Sequence, residues 1–231
     1  HGEAIDIVLN RGISTFVFTT NVTEEVRQFV WSKKVADYIL KEDPNSLEYI
    51  ISAMRQLEKN QETLVLVVDD SRTARTMLSE LLYVRRYRVI NASDGMAALK
   101  ILDQYPEIKL VITDYNMPKM DGYLLCQKIR AKYKADRVAI IGVSSEEDRS
   151  IGARFIKSGA NDFVVKQSFL VEEFYSRVRD CLESIDLFDQ LRRAATTDFL
   201  TGLFNRRYFF EKGQELLNNQ ADKKELLACT I

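Results

Sequence analysis

Apolar positions follow two alternating rhythms between residues 62 and 168. "LVLVVDD" (64–70) is a continuous Val-rich run that meets acid only at its end, as in a strand buried on both faces. Ser71 to Val84 then reads as a helix, with Met77, Leu78, Leu81 and Leu82 at helical spacing. "YRVINAS" (87–93) predicts a second strand, and Asp94 an N-cap for a helix from Gly95 to Gln104. "KLVITD" (109–114), "VAIIGVSS" (138–145) and "DFVVKQ" (162–167) predict three more strands, with helices over Gly122–Tyr133 and Glu146–Ser158 between them. Strand and helix alternating at this spacing predict an α/β fold: a doubly wound, five-stranded parallel sheet with helices on both faces.

The helix after the fifth strand does not stop where a compact domain should. From Leu170 to Thr196 there is no Gly or Pro, and Leu182, Ile185, Phe188 and Leu191 recur at helical spacing. This predicts a long C-terminal helical linker able to pair with a second copy. The alternative is a long amphipathic helix packed on its own domain.

The first sixty residues repeat the second half of the same pattern without a gap. "STFVFTT" (14–20) matches "AIIGVSS" in type, and "ADYILKED" (36–43) matches "NDFVVKQS" (161–168). Thr19, Tyr38 and Lys41 each lie 125 positions before Ser144, Phe163 and Lys166. The segment reads as a partial, degenerate duplicate that lacks three strands and their acids. Half a doubly wound sheet leaves an edge unpaired and a core uncovered, so it should not fold alone. The expectation is that residues precede His1 and that Gly2–Asn10 form the helix before its first strand.

Composition narrows the class. With 46% hydrophobic residues and a net charge of −1, the 231-residue chain has material for one or two cores and no basic run for bulk nucleic-acid binding. No apolar stretch approaches the roughly 18–20 residues that span a bilayer, and the N-terminus does not read as a signal peptide. Cys126, Cys181 and Cys229 show no metal or redox spacing, which fits reduced thiols in the cytoplasm. His1 is the only histidine, so triads and His-rich metal sites are excluded.

The candidate chemistry lies at strand ends. Asp69, Asp70 and Asp114 fall at carboxyl ends of strands one and three, neighbours in the order 2-1-3-4-5 with the crevice between them. Three carboxylates there repel one another, and a hard cation such as Mg²⁺ with oxygen ligands resolves the repulsion. Ser144 offers a hydroxyl from strand four and Lys166 a fixed cation from strand five. The set fits a carboxylate that becomes phosphorylated: Asp114 attacks, Lys166 and the cation neutralise phosphoryl oxygens, and Ser144 hydrogen-bonds one of them. Taken singly, Asp70 reads equally as an N-cap, Ser144 as a loop hydroxyl and Lys166 as a solvated strand end. The joint spacing favours the site: Asp114 follows Asp70 by 44 residues, Ser144 follows by 30 and Lys166 by 22. A phosphorylation-independent scaffold, with Asp114 only a metal-site acid, and a small phosphate hydrolase are the rival classes.

At these residues the chain resembles the receiver domain of two-component response regulators, a flavodoxin-like fold. The resemblance covers about residues 62 to 183 and is carried by the "VDD" strand end, "DYNMPKMDG", "VSS" and "DFVVK". It implies Asp114 as phosphoacceptor, with Mg²⁺ held by Asp69, Asp70, Asp114 and the backbone carbonyl of Asn116. It implies Ser144 as switch hydroxyl, Phe163 as switch aromatic and Lys166 as the family's lysine, with a histidine kinase or phosphotransfer protein as partner. Where the family usually has a cis-proline after the lysine, this chain has Gln167, and Phe163 lacks the hydroxyl of the tyrosine often found there. The first sixty residues resemble the back half of another receiver, with Thr19, Tyr38 and Lys41 at the switch positions.

"TTDFLTGLFNRRYFFEKG" (196–213) marks the last segment. Asp198 can cap a helix start, Gly202 allows a turn, and Asn205–Arg207 open a helix with Tyr208, Phe209, Leu216 and Leu217 on its apolar face. The pattern resembles the start of a GGDEF domain, the diguanylate cyclase module, and "LLACTI" (226–231) would be its first strand. The expected organisation is a partial receiver at 1–60, an intact receiver at 62–183, a linker at 184–197 and a truncated GGDEF start at 198–231. The cyclase signature is absent from this stretch, so GTP and cyclic di-GMP synthesis are expected only of the complete parent, dimerised through the linker.

Overall fold

The computed structural model describes residues 3–42, 44–145, 149–166 and 170–219. The chain divides into two compact units, His1–Ile185 and Asp186–Ile231.

The larger unit holds a five-stranded parallel sheet. Its strands are β3 (Leu64–Val68), β4 (Arg88–Ala92), β5 (Ile108–Asp114), β6 (Ala139–Ser144) and β7 (Asp162–Val165), in the spatial order β4-β3-β5-β6-β7. Counted from β3, that is the expected order 2-1-3-4-5. Every residue of β3 and β6 is buried, because helices cover both faces of the sheet. On one face, α5 (Gly95–Gln104), α6 (Gly122–Lys132) and α7 (Arg149–Lys157) pack Ala98, Leu102, Leu125, Ile129 and Phe155 against Leu66, Val68, Val111 and Ile140. On the other, α4 (Arg72–Val84) and α8 (Val171–Thr196) pack Leu78, Leu82, Phe174, Val178, Leu182 and Ile185 against Val65, Val67, Ile112 and Ile141.

Helix starts are written locally. The side chains of Ser71, Asp94 and Asp121 accept hydrogen bonds from Ala74, Ala97 and Leu124 N–H. The cap of α4 is thus Ser71 and not Asp70, which frees the Asp70 carboxylate from that role.

The first sixty residues form α1 (Glu3–Leu9), β1 (Phe16–Thr19), α2 (Glu24–Ser32), β2 (Asp37–Leu40) and α3 (Ser46–Asn60). Shifted by 125, α2 and β2 coincide with α7 and β7, and α3 starts where α8 starts. The register coincides as well: Phe16 pairs with Asp37 and Val17 with Tyr38, as Ile141 pairs with Asp162 and Gly142 with Phe163. Asp37 and Asp162, the same residue in both copies, each accept from the following N–H, at 2.9 and 2.7 Å. Even the left-handed residue after the helix recurs, as Gly159 (φ 98) and Lys34 (φ 56). Glycine takes that conformation without strain, whereas lysine does not.

This two-stranded piece does not stand alone. Trp31 of α2 lies against Tyr175 of α8, ring centroids 5.7 Å apart, and joins the α4/α8 face of the core. Arg85 after α4 pairs with Asp37 at 2.9 Å and stacks over the Tyr175 ring at 4.3 Å. Asn60 at the end of α3 donates to the Arg85 carbonyl at 2.8 Å. These contacts tie α2, β2 and α3 to the receiver, while Phe18, Leu40, Ile51 and Met54 stay exposed.

In the smaller unit, Thr197 and Phe204 form an antiparallel bridge around Gly202, which has φ 69. Asp198 was expected to cap a helix; instead it closes this turn, accepting from Thr201 N–H at 3.0 Å and from the Thr201 hydroxyl at 2.8 Å. The following helix α9 (Arg206–Asn219) is capped by Asn205, which accepts from Tyr208 N–H at 2.9 Å. The side chains of Leu216 and Leu217, and the run 226–231, lie outside the described residues.

Candidate phosphorylation site

Parallel strands that end together bring their next residues together. Asp69 follows β3 and Asp114 closes β5, and these are adjacent strands in register. Ligand oxygens of Asp69, Asp70 and Asp114 lie within 4.8 Å of one another. Asp69 and Asp114 are buried, and Asp70 is exposed. Lys166, just past β7, donates to Asp69 Oδ2 and to Asp114 Oδ1, both at 2.6 Å. Its position is fixed by its own backbone N–H, which donates to the Ser144 carbonyl at 2.7 Å. Ser144 is buried at the end of β6, one position past the pairing of Asp114 with Val143.

Burial pushes the Asp114 carboxyl above its ordinary range, only partly offset by the Lys166 ammonium, and the Asp69 charge adds to the push. The Asn116 backbone N–H donates to Asp114 and works the other way. For Lys166, burial lowers basicity, but the bonds to Asp114 and Asp69 outweigh it and the ammonium is held above its usual range. One ammonium thus faces three carboxylates. An all-oxygen set with that surplus of negative charge suits a hard divalent cation that keeps several waters.

Two glycines, Gly122 at the start of α6 and Gly142 within β6, allow close packing beside the site. A Cβ at Gly122 would stand 2.1 Å from the Asp114 carbonyl oxygen, and one at Gly142 would stand 2.7 Å from the Phe155 ring. Phe155 is fully buried and lies between Tyr115 and Phe163, at centroid distances of 5.8 and 5.7 Å. Phe163 is half-buried and reaches the acid end of the sheet through that ring. Neither Phe155 nor Arg75 stood out in the sequence. Arg75 donates from Nη1 to the carbonyls of Asp69 and Asp70, at 2.5 and 3.1 Å. Its only sequence signal is its place one helical turn after the cap Ser71.

The duplicate's switch positions keep the backbone pattern, while their side chains are engaged differently. Lys41 N–H donates to the Thr19 carbonyl at 2.9 Å, as Lys166 does to Ser144. The Lys41 side chain is exposed, and the Thr19 hydroxyl donates to the Asn21 carbonyl at 2.7 Å. Tyr38 turns to the receiver instead: its hydroxyl donates to Glu172 at 3.0 Å, and burial followed by that bond raises its pKa to about 12. Asp43 and Gln167 lie outside the described residues.

Comparison with known proteins agrees with this geometry. Residues 65–179 match the response regulator receiver domain family. The chain is 36% identical over 116 residues to the two-component response regulator ORR11 of Oryza sativa subsp. indica, covering 49% of this chain and 79% of that protein. It is 37% identical over 129 residues to the probable transcriptional regulator ycf27 of Porphyra purpurea, covering 55% of this chain and 51% of that one. Two solved structures, each described as a two-component system response regulator/GGDEF domain protein, superpose with TM-scores of 0.73 and 0.72. Both are 38% identical, covering 80% of this chain and 75% of theirs. The fold and the acid crevice define a signal receiver. The chain belongs to the response regulator receiver family, and a histidine kinase or phosphotransfer protein is the partner class that goes with it. Among the described residues, no helix is long and apolar enough to cross a membrane.

Proposed function

We propose that Asp114 accepts a phosphoryl group and that the receiver relays this state to a diguanylate cyclase output. The observation that carries the reading is Lys166, which bridges Asp69 and Asp114 at 2.6 Å each beside the third acid, Asp70. Mg²⁺ held by Asp69, Asp70, Asp114 and the Asn116 carbonyl would neutralise charge on the phosphoryl oxygens. Lys166 presents its ammonium to the same oxygens, and Ser144, at the neighbouring strand end, supplies a hydroxyl donor. A phosphoryl group adds about 1.5–2 negative charges and three acceptor oxygens. Ser144 and Phe163 shift toward it and reshape the surface of α7, β7 and α8.

Support for the output comes from two observations. The 38% identity to receiver/GGDEF proteins extends over 80% of this chain, well beyond residues 65–179. Leu187, Phe188 and Leu191 on the distal part of α8 are exposed, as a helix that pairs with a second copy requires. The first sixty residues are read as a degenerate receiver, because helices, strand register and the left-handed residue all recur at an offset of 125. In the complete protein, paired cyclase modules would make cyclic di-GMP from GTP.

The test is an intact mass spectrum after incubation with Mg²⁺ and acetyl phosphate, beside Asp114→Asn. Gain of one phosphoryl group, absent from the variant, is expected. No gain in the unmodified chain would favour the scaffold class.

A further inference from the structure

We propose that Arg75 is a positioning residue that sets the Asp69–Asp70 turn for cation binding; this rests on reading the three acids as a magnesium site. β3 ends at Val68 and α4 begins at Arg72, so the two acids occupy a turn and not a regular element. The Asp69 N–H still donates to the Ala92 carbonyl of β4 at 3.2 Å and the Ser71 N–H to Asp69 Oδ1 at 2.8 Å, but these bonds use the N–H groups and leave the Asp69 and Asp70 carbonyls to find other partners. Arg75, half-buried on the first turn of α4, supplies the partner: its Nη1 donates to both carbonyls in succession, Asp69 at 2.5 Å and Asp70 at 3.1 Å.

The two acids depend on that turn to different degrees. The Asp69 carboxylate is held independently, with Oδ1 accepting from Ser71 N–H at 2.8 Å and Oδ2 from Lys166. Asp70 is exposed, and no described residue donates to its carboxylate. Its direction toward Asp69 and Asp114 therefore follows from the backbone, and Arg75 holds the carbonyl side of that backbone, as the Ala92 carbonyl and Asp69 Oδ1 hold its N–H side. Pointing both carbonyls at the guanidinium leaves the Asp70 side chain on the crevice side.

Charge and positioning make opposite predictions, which makes the inference testable. Arg75 is a cation near the place where Mg²⁺ would sit, so by Coulomb's law alone its removal tightens cation binding. If it positions the ligands, its removal weakens binding, in the way that loss of an outer-shell partner typically weakens metal sites by about 10–100-fold. Lysine keeps the charge and a multi-donor nitrogen on a stem one atom shorter, so Arg75→Lys recovers part of the loss.

The experiment is isothermal titration of Mg²⁺ into the full chain and into Arg75→Ala and Arg75→Lys, with phosphoryl uptake from acetyl phosphate measured at several Mg²⁺ concentrations. The expected result is a Kd at least about tenfold weaker for Arg75→Ala, intermediate for Arg75→Lys. Uptake by Arg75→Ala should return to the unmodified rate at saturating Mg²⁺, because the nucleophile itself is untouched. A purely structural role would depress the rate at every Mg²⁺ concentration, and that outcome overturns the proposal. So does an Arg75→Ala Kd equal to or tighter than that of the unmodified chain. Should the alanine variant fail to fold, Arg75→Gln takes its place and the same outcomes decide. If the unmodified chain binds no Mg²⁺, the metal site itself falls, and the proposal with it.

Discussion

The Tyr38 hydroxyl donates to Glu172 Oε1 at 3.0 Å, joining the duplicate's equivalent of Phe163 to the helix that follows β7. The same oxygen accepts from Trp31 Nε1 at 2.9 Å and lies 3.1 Å from Arg27 Nε. Three donors from α2 and β2 thus converge on one carboxylate of α8. This carboxylate therefore ties both β2 and α2 of the first sixty residues to the start of the receiver's last helix.

Removal of Glu172 should therefore cost more than removal of one donor. Glu172→Ala leaves the Trp31 N–H, the Tyr38 hydroxyl and Arg27 without their acceptor in a half-buried contact. A loss of about 1–3 kcal/mol is expected in urea unfolding. Tyr38→Phe removes one bond and one donor together, and about 0.5–1.5 kcal/mol is expected. Equal effects from the two variants would mean that the cluster does not act as one unit.

The same carboxylate makes the contact sensitive to acid. Burial raises the Glu172 pKa, but the bonds from Trp31, its own backbone N–H and Tyr38, with the Arg27 charge, overcome this and hold it below the usual range. A folded value below the unfolded one means stabilisation that is complete above the unfolded glutamate value of about 4.3. It is lost as pH falls from there through the folded value. Trp31 is the single tryptophan, so its emission reports the contact directly. Its emission should shift as pH drops below about 4.3, and Glu172→Gln should remove that step. A step that persists unchanged in Glu172→Gln would assign the transition to another acid.

Much of this was legible because parallel strands buried on both faces write themselves as unbroken apolar runs. β3 is such a run, β5 carries Leu110–Ile112 and β6 Ala139–Ile141, and the acids at the carboxyl ends of β3 and β5 meet because these strands are neighbours. The duplication was legible as a constant offset of 125. Asp198 misled because a helix cap and a turn use the same side-chain-to-backbone bond. Arg75 and Phe155 look like ordinary helix residues, and their roles come only from what the fold places beside them. The Trp31–Glu172 bond spans 141 residues and has no local signature at all.

Gly122 is the point where the loop after β5 tolerates no side chain. A Cβ there would meet the Asp114 carbonyl oxygen at 2.1 Å and the Phe155 ring at 2.8 Å. The first obstacle is backbone and cannot rotate away. Gly122→Ala should destabilise by about 3 kcal/mol, the upper part of the overpacking range, and lower phosphoryl uptake at any Mg²⁺ concentration. For Gly142→Ala the nearest obstacle is a side chain, the Phe155 ring at 2.7 Å. It should fall lower in the range of about 1–3 kcal/mol and leave uptake nearer to normal. Thermal melts with parallel mass spectra would separate the two, and a Gly122→Ala protein with full uptake would show that the loop can shift without moving Asp114.

Cation binding should appear as stability as well as chemistry. Asp69, Asp70 and Asp114 crowd within 4.8 Å with Lys166 bonded to two of them, so folding without a divalent ion leaves like charges opposed. A ligand that binds only the folded state at a hundred times its Kd adds about 2.7 kcal/mol. The melting temperature should therefore climb with Mg²⁺ and level off with the logarithmic dependence of a single site. Asp70→Asn removes one candidate ligand and one negative charge from an exposed position. It should melt at or above the unmodified temperature without Mg²⁺ and gain much less on adding it. If Asp70→Asn responds to Mg²⁺ as the unmodified chain does, Asp70 is not a ligand and the cation is held elsewhere.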